Sequence, residues 1–394
     1  MSHRLDLLSP ELRANPYPYY AELRRSDPVC QVDPGGLWAL SRYDDVAFAL
    51  KNTDLFSAQG GRVGVLPPWL DRNPMADSLL LMDPPEHTKA RALVGRAFST
   101  RVIPRIEPVL RAATREFIER LTPGRELDFY AELAMPIPAA AIADLLGLDP
   151  ALRAHFQRWT ADFVATAAAT PEMRPRIRAT IVELEEYLLE VIAARRAAPR
   201  DDLVSDLLAA RVDGVALTEP ELVSFLFVLL AAGFETTTHL LNAALVLLMD
   251  HPDVYARIRA DPALIPAFLE EVLRFEPPGQ IALRQAKTDV EIRGVTVPAG
   301  AFVAALIGSA NRDEQVFPDP DRFDIDRERQ VGLSFGHGVH FCIGAALARA
   351  EAKIGIEVLA SLPGRFERAG GRAPEWNVSL LLRGLKACWV RYVL

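Results

Sequence analysis

Phe335-Gly336-His337-Gly338-Val339-His340-Phe341-Cys342-Ile343-Gly344 is the stretch on which the reading of this chain turns. It runs straight into an apolar, alanine-rich segment, residues 344–359, that reads as a helix. Cys342 therefore sits at a helix N-terminus, where free backbone N–H groups and the positive end of the dipole stabilise a thiolate. Gly336 and Gly338 permit sharp turns and let the backbone approach a flat ligand closely. A thiolate held in this way serves as a nucleophile, a metal ligand or a haem ligand. Zinc wants further Cys or His ligands at short spacing, and His337 with His340 make a poor set. Thiolate is one of the few haem ligand types.

The ten-residue pattern resembles the haem-binding loop of the cytochrome P450 family, Phe-Gly-x-Gly-x-His-x-Cys-x-Gly, and every fixed position matches. The resemblance makes Cys342 the axial ligand of a haem b iron, with Phe335, Gly336, His340 and Gly344 around the cofactor. Cys30 and Cys388 have no such context and read as buried or incidental thiols.

Three motifs elsewhere agree with the resemblance. Glu271-Val-Leu-Arg274 places acid and base at i,i+3 on one helical face. Alone that is an ordinary surface pair. In the family the same Glu-x-x-Arg is buried behind the haem with an Arg from the segment before the Cys loop. Pro320-Asp-Arg322-Phe323 resembles that segment, so the implied structural triad is Glu271, Arg274 and Arg322. Ala231-Ala232-Gly233-Phe234-Glu235-Thr236-Thr237 interrupts a long apolar helix. A mid-helix Gly costs roughly 1 kcal/mol relative to Ala and needs a reason. One account is a polar notch, with Thr236 bonding back to the Ala232 carbonyl. The account implied by the family is a local opening over the haem. Ala232 and Gly233 would leave room for dioxygen, and Glu235 with Thr236 would form a catalytic acid–alcohol pair that delivers protons. Finally, His87 and Arg91 share a helical face. Singly, these two, Arg284 and His340 read as solvated polar groups. Placed at the family's positions, the four bind the haem propionates.

Composition is close to ordinary globular usage. The 394 residues are 50% hydrophobic and 24% charged, which excludes a disordered or collagen-like chain. Net charge is −8, which argues against a chain built to grip nucleic acid. Three cysteines make no disulfide framework and fit a reducing compartment. The first ten residues hold no signal-peptide run. The 13-residue apolar stretch between Glu221 and Glu235 falls short of the ~20 a bilayer span needs. A soluble, cytoplasmic protein with no membrane partner is the expectation.

Periodicity predicts helices over residues 103–121, 176–196 and 266–275. A further helix in 132–146 should start after Pro136 and Pro138. Thr218 and Glu221 make a capping box for a helix running to about Asp250. Strand-like pieces are few, at 37–40, 290–292, 295–297 and 387–393. Two turn-rich regions, 59–77 and 311–338, are long enough to be functional. Length alone suggests two or three domains. The motifs of one haem site spread from His87 to Gly344, which points to a single domain over residues 1–394. The implied fold is mainly α: the cytochrome P450 fold, one helix-rich triangular domain with a small β-rich portion.

The resemblance implies a monooxygenase that inserts one oxygen atom of O2 into a hydrophobic small molecule by hydroxylation or epoxidation. A fatty acid, terpenoid, steroid or macrolide suits an apolar pocket. Val65, Leu66, Leu80, Phe163, Val228, Ala232, Ile281, Ala282, Leu283 and Leu381 are the expected lining. Electrons would come from a ferredoxin and its NAD(P)H-dependent reductase, docked near Cys342 on a basic patch of Arg96, Arg101, Arg349 and Lys353. A monomer is expected. A peroxide-driven haem-thiolate enzyme and a non-catalytic haem sensor or carrier are the alternatives, and the Glu235-Thr236 pair disfavours both. A cysteine hydrolase lacks an evident Asp or Asn orienter.

Overall fold

A computed structural model describes residues 4–98, 102–148, 155, 158–159, 162–163, 165–166, 169–328, 331–370, 372 and 374–394. Backbone contacts group the chain into two compact units. The first comprises Met1–Phe56, Ala112–Ile137 and Thr236–Leu394; the second comprises Ser57–Arg111 and Pro138–Glu235.

The first unit carries the sheets. Its main sheet has the order Val29–Val32, Leu37–Leu40, Phe302–Leu306, Ile281–Ala286, with Phe56–Ser57 at the edge. Leu37–Leu40 pairs antiparallel with Val29–Val32 and parallel with Phe302–Leu306. Ile281–Ala286 runs antiparallel to Phe302–Leu306, with Ile281 opposite Leu306 and Arg284 opposite Val303. Side chains alternate across a strand. Ile281 and Leu283 accordingly pack into a core with Leu7, Leu12 and Leu306, while Ala282 joins the other core with Leu50, Phe56 and Val303. A three-stranded sheet centres on Trp389–Val393, between Glu126–Asp128 and Arg365–Arg368. Val290–Ile292 and Val295–Val297 form a hairpin.

In the first unit, Ile265–Phe275 and Ala345–Ser361 pack against each other. Ile265–Phe275 starts one residue before its predicted span and ends where predicted, with Pro266 in the first turn. Ala345–Ser361 follows Gly344. A helix that begins in the first unit and lies mostly in the second starts earlier than expected. Pro136–Leu145 begins at its first proline, because a π-type turn over Tyr130–Ala134 leads into it and Pro136 has no N–H to leave unsatisfied.

The second unit is helical. Glu86–Ala97 and Arg174–Ala197 are its long elements apart from the helix that leads out of it. Arg195 and Asp202 form a buried ion pair, and Arg195 Nη2 donates to the Gly147 carbonyl at 2.8 Å. The 59–77 region, read as loop, contains helical turns at Ala58–Gly61, Arg62–Val65 and Pro74–Asp77. Ser57 Oγ and Asn73 Oδ1 cap two of them by accepting from Gln59 N (3.0 Å) and Met75 N (3.1 Å).

Glu219–Asp250 is continuous through both units. The predicted capping box forms: Thr218 N and Oγ1 both donate to Glu221 Oε2 at 2.7 Å. Glu235 breaks the apolar run without breaking the helix. The whole helix is long and apolar enough to cross a membrane, yet 83% of that stretch is buried inside the protein, the condition of a core helix.

Candidate haem and active site

The Cys342 loop is built by backbone. Gly336 and Gly338 have φ of +74° and +72°, which side chains other than Gly rarely adopt. A Cβ on Gly338 would also stand 3.0 Å from Lys51 Cα. Gly336 N donates to the Leu333 carbonyl (2.8 Å), Cys342 N to the Phe335 carbonyl (2.8 Å) and Phe341 N to the Gly338 carbonyl (3.0 Å). The loop presents Cys342 exposed, flanked by Val339 and Phe341, which are 41% and 42% exposed. Gly344 caps the following helix, and a Cβ there would lie 3.9 Å from Cys342 Sγ. The other two thiols differ. Burial pushes Cys30 up to about 11 and Cys388 up to about 12, so neither offers a thiolate near neutrality.

Behind the loop lies the Glu-x-x-Arg pair, buried at 5% and 4% exposure. Arg274 Nε and Nη2 each reach one Glu271 oxygen at 2.7 Å. Arg274 then donates to the carbonyls of Asn311 (3.1 Å), Pro320 (2.8 Å) and Arg322 (3.2 Å). The third side chain on Glu271 is Arg327 at 3.3 Å, not Arg322. Arg322 supplies its carbonyl, while its side chain points outward to Asp319 and Asp324. The correction has a physical cause. Asp324 N donates to Glu271 Oε1 at 2.9 Å, which turns the chain so that Arg327 folds back and Arg322 does not. Two further residues, unnoticed in the sequence, complete the link. Ser334 Oγ donates to the Leu273 carbonyl (2.6 Å), and Asn311 holds Ser334 Oγ (2.8 Å) and Leu333 N (2.7 Å). No sequence spacing announces them.

In the long helix, residues 222–231 are all buried. Ala232 is then exposed, and Gly233 and Thr236 are half-buried. Ala232 and Thr236 stand at i,i+4 and share a face. Glu235 is 8% exposed. The helix runs unbroken through this segment, and a Cβ on Gly233 would stand 3.1 Å from Ile142 Cδ1, so the glycine lies close against that side chain.

Glu351 was not singled out in the sequence. It lies on Ala345–Ser361 with 1% exposure and bonds with the Thr237 side chain. Burial pushes its carboxyl from 4.5 up to about 8, so it is neutral at pH 7. The folded protein keeps this proton through a range where the unfolded chain releases it. Stability from this group is therefore full below about pH 4.5 and is lost as pH rises toward 8. Glu351→Gln removes that dependence. Its melting temperature is expected to gain on the parent's by about 2 °C or more between pH 5 and pH 8, followed by circular dichroism; a constant difference would contradict a neutral Glu351.

The propionate candidates have defined local settings. His87 is 1% exposed, on Glu86–Ala97 with half-buried Arg91. Asp83 anchors that helix, accepting from Ser57 Oγ (2.6 Å) and Ala58 N (2.8 Å) while its carbonyl takes His87 N (3.0 Å). Arg284 is 8% exposed and donates to the Leu283 carbonyl at 2.8 Å. His340 lies in the Cys loop. Within the first unit, the thiol of Cys342 on an exposed, partly apolar loop and the guanidinium of Arg284 are donor types that suit a haem iron and a haem carboxylate.

The expected pocket lining divides. Val65, Leu66 and Phe163 are half-buried, Leu80 is 45% exposed and Val228 is 9% exposed. Phe163 packs edge-on to Phe227 at 5.6 Å; its neighbours 164, 167 and 168 lie outside the described residues. Leu381 is 40% exposed. Ile281 instead faces the core, since the strand's period of two turns it and Leu283 away from Ala282 and Arg284. The basic patch is also weaker than its sequence suggests. Arg349 pairs with Glu270 and lies 4.4 Å over the Phe335 ring, Lys353 pairs with Glu357 at 3.6 Å, and Arg96 donates to the Arg211 carbonyl. Arg101 lies outside the described residues.

The chain is similar in sequence and fold to known proteins. The family model for cytochrome P450 matches residues 153–361. The chain is 35% identical over 402 residues to 6-deoxyerythronolide B hydroxylase of Saccharopolyspora erythraea, covering 98% of each chain. It is 37% identical over 372 residues to mycinamicin IV hydroxylase/epoxidase of Micromonospora griseorubida, covering 93% of this chain and 92% of that protein. The solved structure of cytochrome P450 CYP109Q5 from Chondromyces apiculatus superposes with a TM-score of 0.92 at 42% identity, covering 100% and 99%. The chain belongs to the cytochrome P450 family. It is a haem-dependent monooxygenase, using a small-molecule substrate, O2 and redox partners.

Proposed function

We propose that this enzyme hydroxylates or epoxidises a hydrophobic, macrolide-like small molecule of secondary metabolism, with Cys342 as the haem ligand. The observation that carries the reading is the exposed Ala232 with half-buried Thr236 four residues on, directly after the buried run 222–231 of the long helix. The named activities of the two curated relatives favour a large apolar substrate over a small polar one. Fatty acids, terpenoids and steroids share its apolar character and suit the same kind of pocket. A ferredoxin reduced by an NAD(P)H-dependent reductase supplies the electrons, and the protein works as a cytoplasmic monomer.

When bound, the haem supplies activation of dioxygen and transfer of one oxygen atom to carbon. The chain does the rest. Cys342 would hold the iron, its position in the loop set by the Phe335 carbonyl and the glycine turns. Arg91, Arg284, His87 and His340 would bind the propionates. Exposed Ala232, with its small side chain, would leave room for dioxygen. Thr236 holds a proton at its hydroxyl where it is needed, and buried Glu235 passes protons along the helix from solvent. Val65, Leu66, Leu80, Phe163, Val228, Ala282 and Leu381 exclude water and orient the substrate.

Thr236→Ala tests the proton role. The variant is expected to bind haem and azole ligands as the parent does, while most NADPH consumed in a ferredoxin-driven assay appears as hydrogen peroxide. Unchanged coupling of NADPH to product would remove Thr236 from proton delivery. The same assay separates the peroxide-driven alternative, in which peroxide supports turnover and NADPH with redox partners never does.

A further inference from the structure

Three residues beyond Thr236 the long helix carries His239, 3% exposed, between Thr238 and Leu240. The C-terminal hairpin is fastened to this ring. Asn377 N donates to the Gly384 carbonyl at 2.9 Å, and Gly384 N returns a bond to Asn377 Oδ1 at 3.1 Å. The Asn377 side-chain amide then donates to His239 Nε2 at 3.4 Å. Gly384 lies flat on the imidazole: an added Cβ would overlap Nδ1, Cγ and Cε1 of His239. Tyr130 stands near the ring at 6.2 Å between centroids. Glycine is required at 384 by space.

The hairpin tip beyond this clamp carries the exposed Leu381. Leu381 N and Leu382 N both donate to Ser379 Oγ, at 3.2 and 3.1 Å. The Leu381 carbonyl accepts from Gln280 N (2.8 Å) and Ile281 N (3.3 Å), and Arg383 N donates to the Pro278 carbonyl (2.8 Å). The tip is therefore a stiff piece with two anchors, one on the Ile281–Ala286 strand and one on the helix that bears Thr236.

We propose that His239, Asn377 and Gly384 form a positioning unit for substrate selection. The flat imidazole acts as a spacer that sets how far the Leu381 tip stands from Thr236, and so which substrate sizes the enzyme accepts. This inference rests on Leu381 lining the pocket.

The test uses spectral titration of the purified haemoprotein with imidazole, which is small, and clotrimazole, which is large. Gly384→Ala should keep the reduced carbon-monoxide spectrum and the imidazole affinity while changing the clotrimazole Kd by about tenfold or more, the scale of a methylene misfit in an apolar pocket. Adding His239→Ala frees the space and should bring the clotrimazole Kd back toward the parent value. An unchanged clotrimazole-to-imidazole ratio in Gly384→Ala, or no recovery in the double variant, overturns the spacer. If Gly384→Ala yields no folded haemoprotein, Asn377→Ala carries the test, since it loosens the clamp without a clash; it should shift the same ratio, and an unshifted ratio overturns the proposal. Leu381→Trp separates the two layers. If it too leaves clotrimazole binding unchanged, the pocket assignment fails and the inference with it. If it weakens clotrimazole binding while the clamp variants do not, only the clamp is wrong.

Discussion

Cys342→Ala is expected to fold and yet to lose the red-shifted Soret band of the reduced carbon-monoxide complex. The substitution removes one exposed side chain from a loop whose shape is set elsewhere. The Gly336 and Gly338 turns, the Cys342 N to Phe335 carbonyl bond and the Ser334–Asn311 link all survive it. The fold should therefore stay close to the parent in circular dichroism. The thiolate is lost outright, and no substitute is at hand among the cysteines, because Cys30 and Cys388 are held protonated by burial. A variant that kept the band would transfer the ligand role to another residue.

Glu271→Ala is expected to have the largest effect on stability. Glu271 and Arg274 are an almost fully buried pair, and Arg274 also satisfies three carbonyls of the segment before the Cys loop. Removing one partner of such a pair costs about 3–5 kcal/mol, because the other charge is left buried and unpaired. Against a total stability of about 5–15 kcal/mol that is a large fraction. The loop depends on the pair through Ser334 and the Leu273 carbonyl, so haem retention should fall with it. The variant is expected to purify with little haem and a sharply lowered denaturant midpoint. Arg327→Ala should show a weaker form of the same defect, since its contact with Glu271 is longer, at 3.3 Å. Arg322→Ala should behave like the parent, because its side chain is on the surface. Equal damage from Arg322→Ala and Arg327→Ala would reverse the assignment of the third side chain.

The contrast between Arg322 and Arg327 shows what the sequence carries and what it does not. Motifs with fixed spacing on one element were legible. Glu271 and Arg274 share a helical face, as do His87 and Arg91, and the glycine loop fixes Cys342 by local backbone alone. Partners that meet by folding back were not. Arg327 reaches Glu271 only because Asp324 N bonds to the same carboxylate, and Asn311 reaches Ser334 across an irregular segment. The fold divides similarly. The helices at Val102–Arg120, Arg174–Ala197 and Ile265–Phe275 follow an apolar period. The strands Ile281–Ala286 and Phe302–Leu306 lie inside the main sheet, where Phe-Val-Ala-Ala-Leu is a short apolar run that periodicity alone does not separate from a helix. That sheet is also why Ile281 turned out to be a core residue. Glu351 was hidden for another reason: a carboxylate in an alanine-rich helix reads as a solvent-facing charge until burial is seen.

The central claim is that Cys342 gives this chain haem-thiolate chemistry. The reduced carbon-monoxide difference spectrum of the purified parent protein tests it most directly. The expected result is a red protein with the strongly red-shifted Soret band of thiolate ligation, absent from Cys342→Ala. A folded but colourless protein, or a carbon-monoxide complex whose Soret band lies where histidine-ligated haem absorbs, would contradict it.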